Sequence, residues 1–390
     1  MAEEVSARRR RRSLTALRRI LVAAACLTVG LGTIWLANAT GEPPDAAQVS
    51  AAVDRVRAGV LDERVTVFDV VLGGTPAKPS LTGAILGREV WEELVRTVRA
   101  LPGGRRVSLK VSLLPQAKLA NQNLVPAKSL VDVYSVPGGG PKDLVTQALL
   151  GEALALLRRS GDWYQVQLGD GYVGWAQAKD LAPRPAGSDL VRVRRISVKA
   201  RSGPSPLAPV VTDLYLGSVL PRVRRVGEWD ELALPGGGTA WVEGAAMSAV
   251  PGATQASTLL PGSSVRDALV STAQMLLGTP YLWGGVTAQG LDCSGLIQTV
   301  FRAHGLLLPR DSDQQYDNTQ PVTAPQPGDL VFFTTYKDGP SHVGLYLGAG
   351  RFIHAGRAGV VIASLDRGAK GYDAALAKGY LGARRHPALP

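Results

Sequence analysis

The segment GLDCSGLIQTVFRAHG, residues 290–305, combines a helical pattern with a cysteine at its start. The apolar side chains that share one face of this helix are Leu296, Ile297, Val300 and Phe301. Gly305 is a typical helix stop, so the helix is predicted to begin at Cys293 and to end just before that glycine. Cys293 is flanked by Asp292, Ser294 and glycines, which indicates a polar, tightly turned surround.

A helix N-terminus changes the chemistry of a thiol. Free backbone N–H groups and the positive end of the helix dipole favour the thiolate, which is the nucleophilic form. The other cysteine of the chain, Cys26, falls in a segment typical of an export signal. A buried structural cysteine is the alternative interpretation, but the polar flanks of Cys293 favour a reactive thiol. With no second exported cysteine, this thiol cannot be lost to an intramolecular disulfide.

A cysteine nucleophile needs a base, and the sequence SHVGLYLGAGRFIHAG supplies two histidines, His342 and His354. The pattern predicts two strands joined by a three-residue connection. Leu347 would then oppose Arg351, and Gly344 would oppose His354 with His342 as its diagonal neighbour on the same face. The two imidazoles can therefore meet. His342 would accept the thiol proton, and His354 would orient His342 through its other ring nitrogen.

The remaining histidines, His304 and His386, are predicted to be structural. His304 ends the helix, where it meets the negative end of the dipole, and His386 lies in the tail ARRHPALP. His342 and His354 could be two zinc ligands, but no third or fourth ligand occurs at motif spacing. We therefore expect neither a metal nor another cofactor.

The N-terminus has the order of an export signal, predicted over residues 1–39. A basic stretch precedes the uncharged run ILVAAACLTVGLGTIWLANAT, with small residues at Ala37 and Ala39. An uncleaved membrane anchor is the alternative. The first nineteen residues hold +5 of the total +11 charge, which leaves +6 for the exported part. This mild surplus, without a clustered basic face or a recognisable module, argues against nucleic-acid binding.

Between the N-terminus and the cysteine region, the sequence contains a repeat. Two glycine–tryptophan–tryptophan sets share a spacing of twelve residues within each set, namely Gly151, Trp163, Trp175 and Gly217, Trp229, Trp241. GDW and GEW recur 66 residues apart, among short alternating runs and glycine turns. This pattern is typical of small all-β barrels. The tryptophans are predicted to fill the barrel cores, with ligand stacking as the alternative.

Linkers and one further unit complete the organisation. GEPPDAAQ, APRPAGSD and VPGATQASTLLPGSS are rich in Pro, Gly, Ala and Ser and lack periodicity, so each is predicted to be a linker. The run RVTVFDVVL, LTGAIL, REVWEELVRTVRAL and RVSLKVSLL predicts a small ββαβ unit over residues 50–125. It loosely resembles a BON-like module and contains no catalytic residues.

Near the end of the chain, motifs occur in the order found in one enzyme family. YLWGG, LDCSGL, LPRDSDQQ, PGDLVFF, SHVGLYLG and RFIHA over about residues 265–385 resemble the NlpC/P60 family of papain-like cysteine peptidases. The resemblance implies catalytic roles for Cys293, His342 and His354. It also implies that Tyr281 lies beside the nucleophile. Residues with an implied role in substrate binding are Tyr281, Trp283, Asp292 and Ser294, with Asp292 and Ser294 at the amino end of the substrate.

The expected fold is multidomain. An α+β papain-like NlpC/P60 catalytic domain, residues 262–388, follows two small all-β barrels, residues 126–184 and 188–250, and the small α+β unit. VKARSGPSPLAPVV and the residues after it resemble a bacterial SH3 domain, and the first barrel resembles a more divergent copy. SH3-like domains before such a catalytic domain resemble γ-D-glutamyl-diamino-acid endopeptidases.

The expected function is hydrolysis of the γ-D-Glu to diamino-acid bond in peptidoglycan stem peptides with a free N-terminal L-Ala. An amidase or acyl transferase using the same Cys–His site is one alternative. A non-catalytic wall-binding SH3 protein is another. We expect a monomer that is secreted or lies in the cell envelope, with membrane attachment through the N-terminal apolar segment as an option.

Overall fold

The computed structural model describes residues 42–60, 62–250 and 265–390. The chain forms two compact units, divided between Leu114 and Pro115. The predicted export segment and the predicted start of the catalytic domain, residues 262–264, lie outside the described residues. Within the described ranges, no helix is both long enough and apolar enough to span a membrane.

The first unit contains the predicted ββαβ order preceded by one further helix. Its elements are α1 (Ala46–Arg57), β1 (Phe68–Thr75), β2 (Lys78–Leu86), α2 (Arg88–Arg99) and β3 (Ser108–Leu114). β2 lies in the centre of the sheet, antiparallel to β1 and parallel to β3. The parallel pair requires a crossover connection, which α2 supplies.

Helix α1 replaces part of a predicted linker. Asp45 and Gln48 form a capping box, in which Asp45 Oδ1 accepts from the Gln48 amide at 2.7 Å and Gln48 Oε1 accepts from the Asp45 amide at 3.1 Å. Val49 and Val53 are buried against the same core as Leu94 and Val98 of α2. A short apolar stripe inside an Ala- and Pro-rich sequence gave too weak a periodic signal to predict this helix.

The first unit ends at Leu114, whereas its predicted end was residue 125. Leu119 belongs to the core of the following barrel, where it packs with Val131, Val133 and Leu156. The segment between Leu114 and the barrel therefore belongs to the second unit.

Two all-β barrels open the second unit. The strands of the first barrel are β4 (Leu124–Pro126), β5 (Leu130–Tyr134), β6 (Leu144–Leu149), β7 (Ala155–Ser160), β8 (Trp163–Gln167), β9 (Val173–Gln177) and β10 (Leu181–Pro183). The strands of the second barrel are β11 (Leu190–Val193), β12 (Ser197–Arg201), β13 (Val210–Tyr215), β14 (Val219–Val226), β15 (Trp229–Ala233), β16 (Thr239–Glu243) and β17 (Met247–Ala249). The first barrel has a five-stranded sheet, β6-β5-β9-β8-β7, and the pair β10-β4. The second has one seven-stranded sheet, β13-β12-β16-β15-β14-β11-β17.

The sequence repeat is also a structural repeat. The Arg158 guanidinium lies over the Trp175 ring at 5.3 Å, and Arg224 lies over Trp241 at 5.4 Å, again 66 residues further along. Both tryptophans are buried, with 7% and 8% of their surface exposed. Of the four tryptophans predicted to fill the barrel cores, Trp175 and Trp241 are buried, whereas Trp163 and Trp229 are only half-buried. A cation additionally covers one face of each buried ring.

The rest of the second unit is an α+β domain. Its helices are α3 (Val265–Met275), α4 (Cys293–Ala303), α5 (Ser312–Asp317) and α6 (Ala374–Lys378), and a short hairpin is formed by β18 (Val286–Thr287) and β19 (Gly290–Leu291). Its sheet runs in the order β20-β25-β21-β22-β23-β24. These strands are β20 (Gln320–Val322), β21 (Leu330–Phe333), β22 (His342–Gly348), β23 (Arg351–Gly356), β24 (Gly359–Ser364) and β25 (Tyr380–Arg385). Helix α4 packs its apolar face against β22 and β23, with Leu296, Ile297, Val300 and Phe301 at 0% exposure.

The hairpin β22–β23 has the predicted register away from its turn, but the residues that oppose each other at the turn differ from the prediction. Gly348, not Leu347, opposes Arg351, because the register shifts by one residue at Leu347. Further from the turn, Tyr346 opposes Phe352 and Leu345 opposes Ile353, which is the predicted register. A Cβ on Gly344 would lie 3.3 Å from His354 Cβ and 2.9 Å from the Ile353 carbonyl oxygen. Glycine at this position thus permits close packing beside the histidine.

Candidate active site

Cys293 is the first residue of α4, as predicted, and Asp292 is its N-cap. Asp292 Oδ1 accepts from the Gly295 amide at 2.7 Å, which fixes the first turn of the helix. The thiol is free and buried. The backbone amides of Ser294 and Val343 both donate toward the sulfur. Since Val343 follows His342 in β22, the sulfur lies against the strand that carries the first histidine.

Burial dominates the acid–base state of this thiol. It raises the pKa of Cys293 to about 12, and the negative charge of Asp292 adds to the rise. The two amide donors and Arg310 lower the pKa, but by less. The helix N-terminus acts in the predicted direction, since the Ser294 amide lowers the pKa of the thiol, but desolvation of the charged form outweighs this effect. The resting thiol is protonated, and its activation requires a base.

The two predicted histidines do meet. Nε2 of His342 lies 2.9 Å from Nδ1 of His354, and the two rings are nearly perpendicular. Burial lowers the pKa of His342 to about 3, with the neighbouring His354 as the second cause. Burial likewise lowers the pKa of His354 to about 4. Both imidazoles are therefore neutral near pH 7, and a neutral imidazole has one ring nitrogen able to accept a proton.

Asp292 is occupied by contacts within the protein. Besides Gly295, its carboxylate accepts from the Gly284 amide at 2.8 Å and from two Arg310 nitrogens at 2.6 and 3.0 Å. Ser294 Oγ approaches the same carboxylate at 3.3 Å. A carboxylate offers about four acceptor positions, so none is left for a substrate amine. These contacts do not support the predicted role of Asp292 as reader of the substrate's amino end, because Arg310 already neutralises it.

Arg310 also belongs to this site, although no spacing in the sequence indicated a role for it. It is buried with 1% exposure, pairs with Asp292 and donates to Ser294 Oγ at 3.0 Å. Its Nε donates to Thr146 Oγ1 in β6 of the first barrel, also at 3.0 Å. The motif LPRDSDQQ contained this residue, but nothing in a linear pattern identified its partners. Arg310 thus links the first barrel to Asp292, the N-cap of α4.

Three aromatic side chains lie at the mouth of the site. Tyr281, Trp283 and Tyr336 are 38%, 51% and 62% exposed. Trp283 and Tyr336 meet edge to face with ring centroids 5.9 Å apart. Partial burial raises the pKa of Tyr336 to about 12, with the charge of Cys293 as the next cause, and the pKa of Tyr281 is raised in the same way. Both phenols therefore lie close enough to Cys293 to interact with it electrostatically. No motif in the sequence indicated a role for Tyr336.

The first barrel borders the same region through polar contacts. Tyr172 donates to Asp311 Oδ2 at 3.1 Å, one residue after Arg310. Gln298 of α4 donates to Asp170 Oδ2 at 2.6 Å. One turn further along α4, Arg302 Nη1 lies 3.4 Å from a Glu152 carboxylate oxygen. The first barrel is therefore docked along α4.

The other two histidines make contacts that suit structural roles. His304 Nε2 lies 2.8 Å from Thr272 Oγ1 of α3, and His386 Nε2 lies 3.1 Å from the Leu307 carbonyl oxygen. In the described part of the chain, no three or more His, Cys, Asp or Glu side chains are grouped so that they could hold a metal ion.

The site thus combines a buried cysteine at a helix start with a hydrogen-bonded pair of histidines, in an α+β domain that follows two small β-barrels. The NlpC/P60 family model matches residues 278–376, and that of the bacterial dipeptidyl-peptidase SH3 domain matches residues 140–181. The γ-D-glutamyl-L-lysine dipeptidyl-peptidase of Bacillus cereus is 31% identical over 260 residues, 62% of this chain and 75% of that protein. The chain belongs to the NlpC/P60 family and is a cysteine peptidase.

Two further relatives give the extent of the likeness. The crystal structure of an NlpC/P60 family protein from Bacillus cereus covers 69% of this chain and 100% of its own, with a TM-score of 0.57 and 26% identity. The probable peptidoglycan endopeptidase LytE of Bacillus subtilis is 48% identical over 98 residues, 25% of this chain and 29% of that protein. The first likeness spans much more of the chain than the second, which is limited to 98 residues.

Proposed function

We propose that this protein is an exported peptidoglycan hydrolase that cuts the γ-D-Glu to diamino-acid bond of stem peptides. The observation that carries the proposal is the buried thiol at the start of α4 beside a hydrogen-bonded pair of neutral histidines. The relatives support the choice of substrate, since they include two γ-D-glutamyl-L-lysine dipeptidyl-peptidases and a probable peptidoglycan endopeptidase.

The geometry suits a base-assisted attack. His342 Nε2 donates its proton toward His354 Nδ1, which leaves His342 Nδ1 free to accept the proton of the Cys293 thiol as its sulfur attacks the carbonyl carbon. The Ser294 amide, already directed at the sulfur, stabilises the oxyanion. His342 then gives its proton to the leaving amine. Water, deprotonated by the same imidazole, hydrolyses the thioester and restores the thiol.

The first barrel supports a preference for peptides with a free N-terminal L-Ala. Thr146, Asp170 and Tyr172 of this barrel contact Arg310, Gln298 and Asp311, on the side of the site where Asp292 lies. A substrate that extends beyond that side would meet the barrel. We therefore assign Tyr281, Trp283 and Ser294 to substrate contact, and we assign Asp292 with Arg310 to positioning of the helix start.

The same site could transfer the acyl group to an amine or cut an amide at the sugar. The wall-binding alternative predicts no turnover at all. The expected location is outside the cytoplasm, because peptidoglycan is found there and residues 1–39 have the pattern of an export signal.

Digestion of defined substrates tests the proposal. Purified peptidoglycan and free L-Ala-γ-D-Glu-diamino-acid tripeptides would be incubated with the wild-type protein and with Cys293→Ala, and the products would be weighed by mass spectrometry. Release of the dipeptide L-Ala-D-Glu by the wild type alone is the expected result. Cleavage of the amide that joins the peptide to the sugar would favour the amidase alternative. No cleavage of either substrate would favour the wall-binding alternative.

A further inference from the structure

Trp283 and Tyr336 come from two different loops of the catalytic domain and pack against each other. Trp283 belongs to the loop before the β18–β19 hairpin, which leads into α4, and Tyr336 belongs to the loop between β21 and β22. Their rings meet at a centroid distance of 5.9 Å and an angle of 70°. We call this pair the aromatic bridge.

Each residue of the aromatic bridge belongs to a loop that is held by contacts at its base. On one side, Gly284 lies against β6 of the first barrel, since a Cβ on this glycine would be 2.8 Å from Leu144 Cγ. On the other side, the Thr335 amide donates to Ser341 Oγ at 2.8 Å, and Thr334 Oγ1 donates to the Gly339 carbonyl at 3.0 Å. The bases of both loops are therefore fixed, and the rings have defined positions.

The aromatic bridge lies on the side of the site that adjoins the first barrel. The Tyr336 loop contacts the start of α5, where Ser312 Oγ donates to the Pro340 carbonyl at 3.1 Å. The preceding residue, Asp311, accepts from Tyr172 of the barrel. The Trp283 loop thus contacts the first barrel directly, and the Tyr336 loop contacts it through the start of α5. The aromatic bridge connects the two loops.

The rings are not required by a core. Neither Trp283 nor Tyr336 belongs to a buried apolar cluster of the described residues, and both keep about half or more of their surface exposed. Large rings held in place beside a nucleophile offer apolar contact area to a ligand and exclude bulky substituents on that ligand.

We propose that Tyr336 is a specificity-determining residue, which with Trp283 roofs the pocket beside the first barrel and excludes peptides whose N-terminus carries a substituent. This inference deepens the proposed function and rests on it. The barrel closes the pocket at the end, whereas the aromatic bridge closes it from above. Removal of either ring opens a path to solvent for an N-acyl group, while the thiol and the two histidines keep their contacts.

The test compares kcat/KM for the free tripeptide L-Ala-γ-D-Glu-diamino acid with that for its N-acetyl form. Tyr336→Ala and Trp283→Ala should each lower the ratio by about tenfold, a usual size for loss of one pocket contact. Tyr336→Phe should keep the wild-type ratio, since it retains the ring. Leu207→Ala, at a position 92% exposed in the second barrel, is the matched apolar control and should change nothing.

The outcomes separate the two proposals. If the wild type cuts the free tripeptide and Tyr336→Ala keeps the wild-type ratio, the specificity role of Tyr336 is wrong and the proposed function stands. If the wild type cuts neither peptide, both proposals fail. Because Tyr336 is exposed, its replacement should leave the fold intact, and Tyr336→Leu provides a second variant that fills part of the same space.

Discussion

His342 and His354 share one proton through Nε2 and Nδ1 at 2.9 Å, from adjacent strands of one sheet. Both rings are neutral near pH 7, so the position of that proton decides which nitrogen of His342 remains free. If His342 donates, its Nδ1 can accept from the thiol. His354 then acts by fixing the tautomer and the ring orientation of His342, as the third member of a triad does.

Cys293→Ala is expected to abolish hydrolysis and leave folding intact, because the alanine keeps the helix start and removes only the sulfur. Cys293→Ser should be nearly as inactive, since a hydroxyl does not ionise near neutral pH. Turnover of the tripeptide and far-UV circular dichroism measure the two effects. Substantial turnover in either variant would exclude the cysteine mechanism.

His354→Ala is expected to lower kcat much more than it raises KM, because the residue orients the base and does not contact substrate. His342→Ala should cost more, within the range of about 10²- to 10⁴-fold that general bases contribute. His354→Gln, which can still accept through its side-chain oxygen, should lie between wild type and alanine. Steady-state kinetics of the three variants on the free tripeptide measure kcat and KM separately. An unchanged kcat with a raised KM would instead assign His354 to substrate binding.

Acid should destabilise the second unit through these histidines. Their folded pKa values, about 3 and about 4, lie below the ordinary 6.5, so the unfolded chain binds more protons as pH falls. The stability is fully present above pH 6.5 and is lost as pH falls toward the folded values. For His354 alone the loss between pH 7 and pH 4 is about 3 kcal/mol. Urea denaturation at both pH values should show a smaller loss in His354→Gln, and an equal loss would contradict the assignment.

Arg310→Met is expected to destabilise the protein by about 3–5 kcal/mol, because it leaves Asp292 buried without its counter-charge. The double variant Arg310→Met with Asp292→Asn should recover part of that loss, since no buried charge remains. Urea denaturation of the two variants and of Asp292→Asn completes the cycle. A double variant as unstable as the sum of the single ones would show that the pair is not coupled.

The sequence predicted the parts of the site that depend on local pattern. The helix start at Cys293 followed from one apolar face and a stop glycine, and the meeting of His342 with His354 followed from the period of two along paired strands. The contacts of Arg310 and Tyr336 are made between segments far apart in the chain, so no spacing encodes them. The rise in the pKa of the thiol could not be predicted from spacing, because desolvation depends on the packing around Cys293. The helix α1 was missed because its apolar stripe is short and its strongest signal is a cap inside a Pro-rich run.

The last prediction concerns the docking of the first barrel on the nucleophile helix. Asp170 accepts from Gln298 at 2.6 Å, and Tyr172 donates to Asp311 at 3.1 Å, both from one turn of the barrel. The variant Asp170→Ala with Tyr172→Phe removes these hydrogen bonds while it keeps the Tyr172 ring. If the docked barrel closes one end of the groove, this change should raise the rate on intact murein relative to free tripeptide.

Glu243→Gln is the matched control for this docking variant, because it removes half of an exposed ion pair with Arg195 in the second barrel. Exposed pairs contribute little, so this control should keep the wild-type ratio of the two rates. Release of soluble peptide from purified murein and turnover of the tripeptide give that ratio. A wild-type enzyme that digests murein as fast as tripeptide would contradict end closure and favour a tethering role for the barrels. A docking variant with the wild-type preference would show instead that the preference comes from within the catalytic domain, where the aromatic bridge lies.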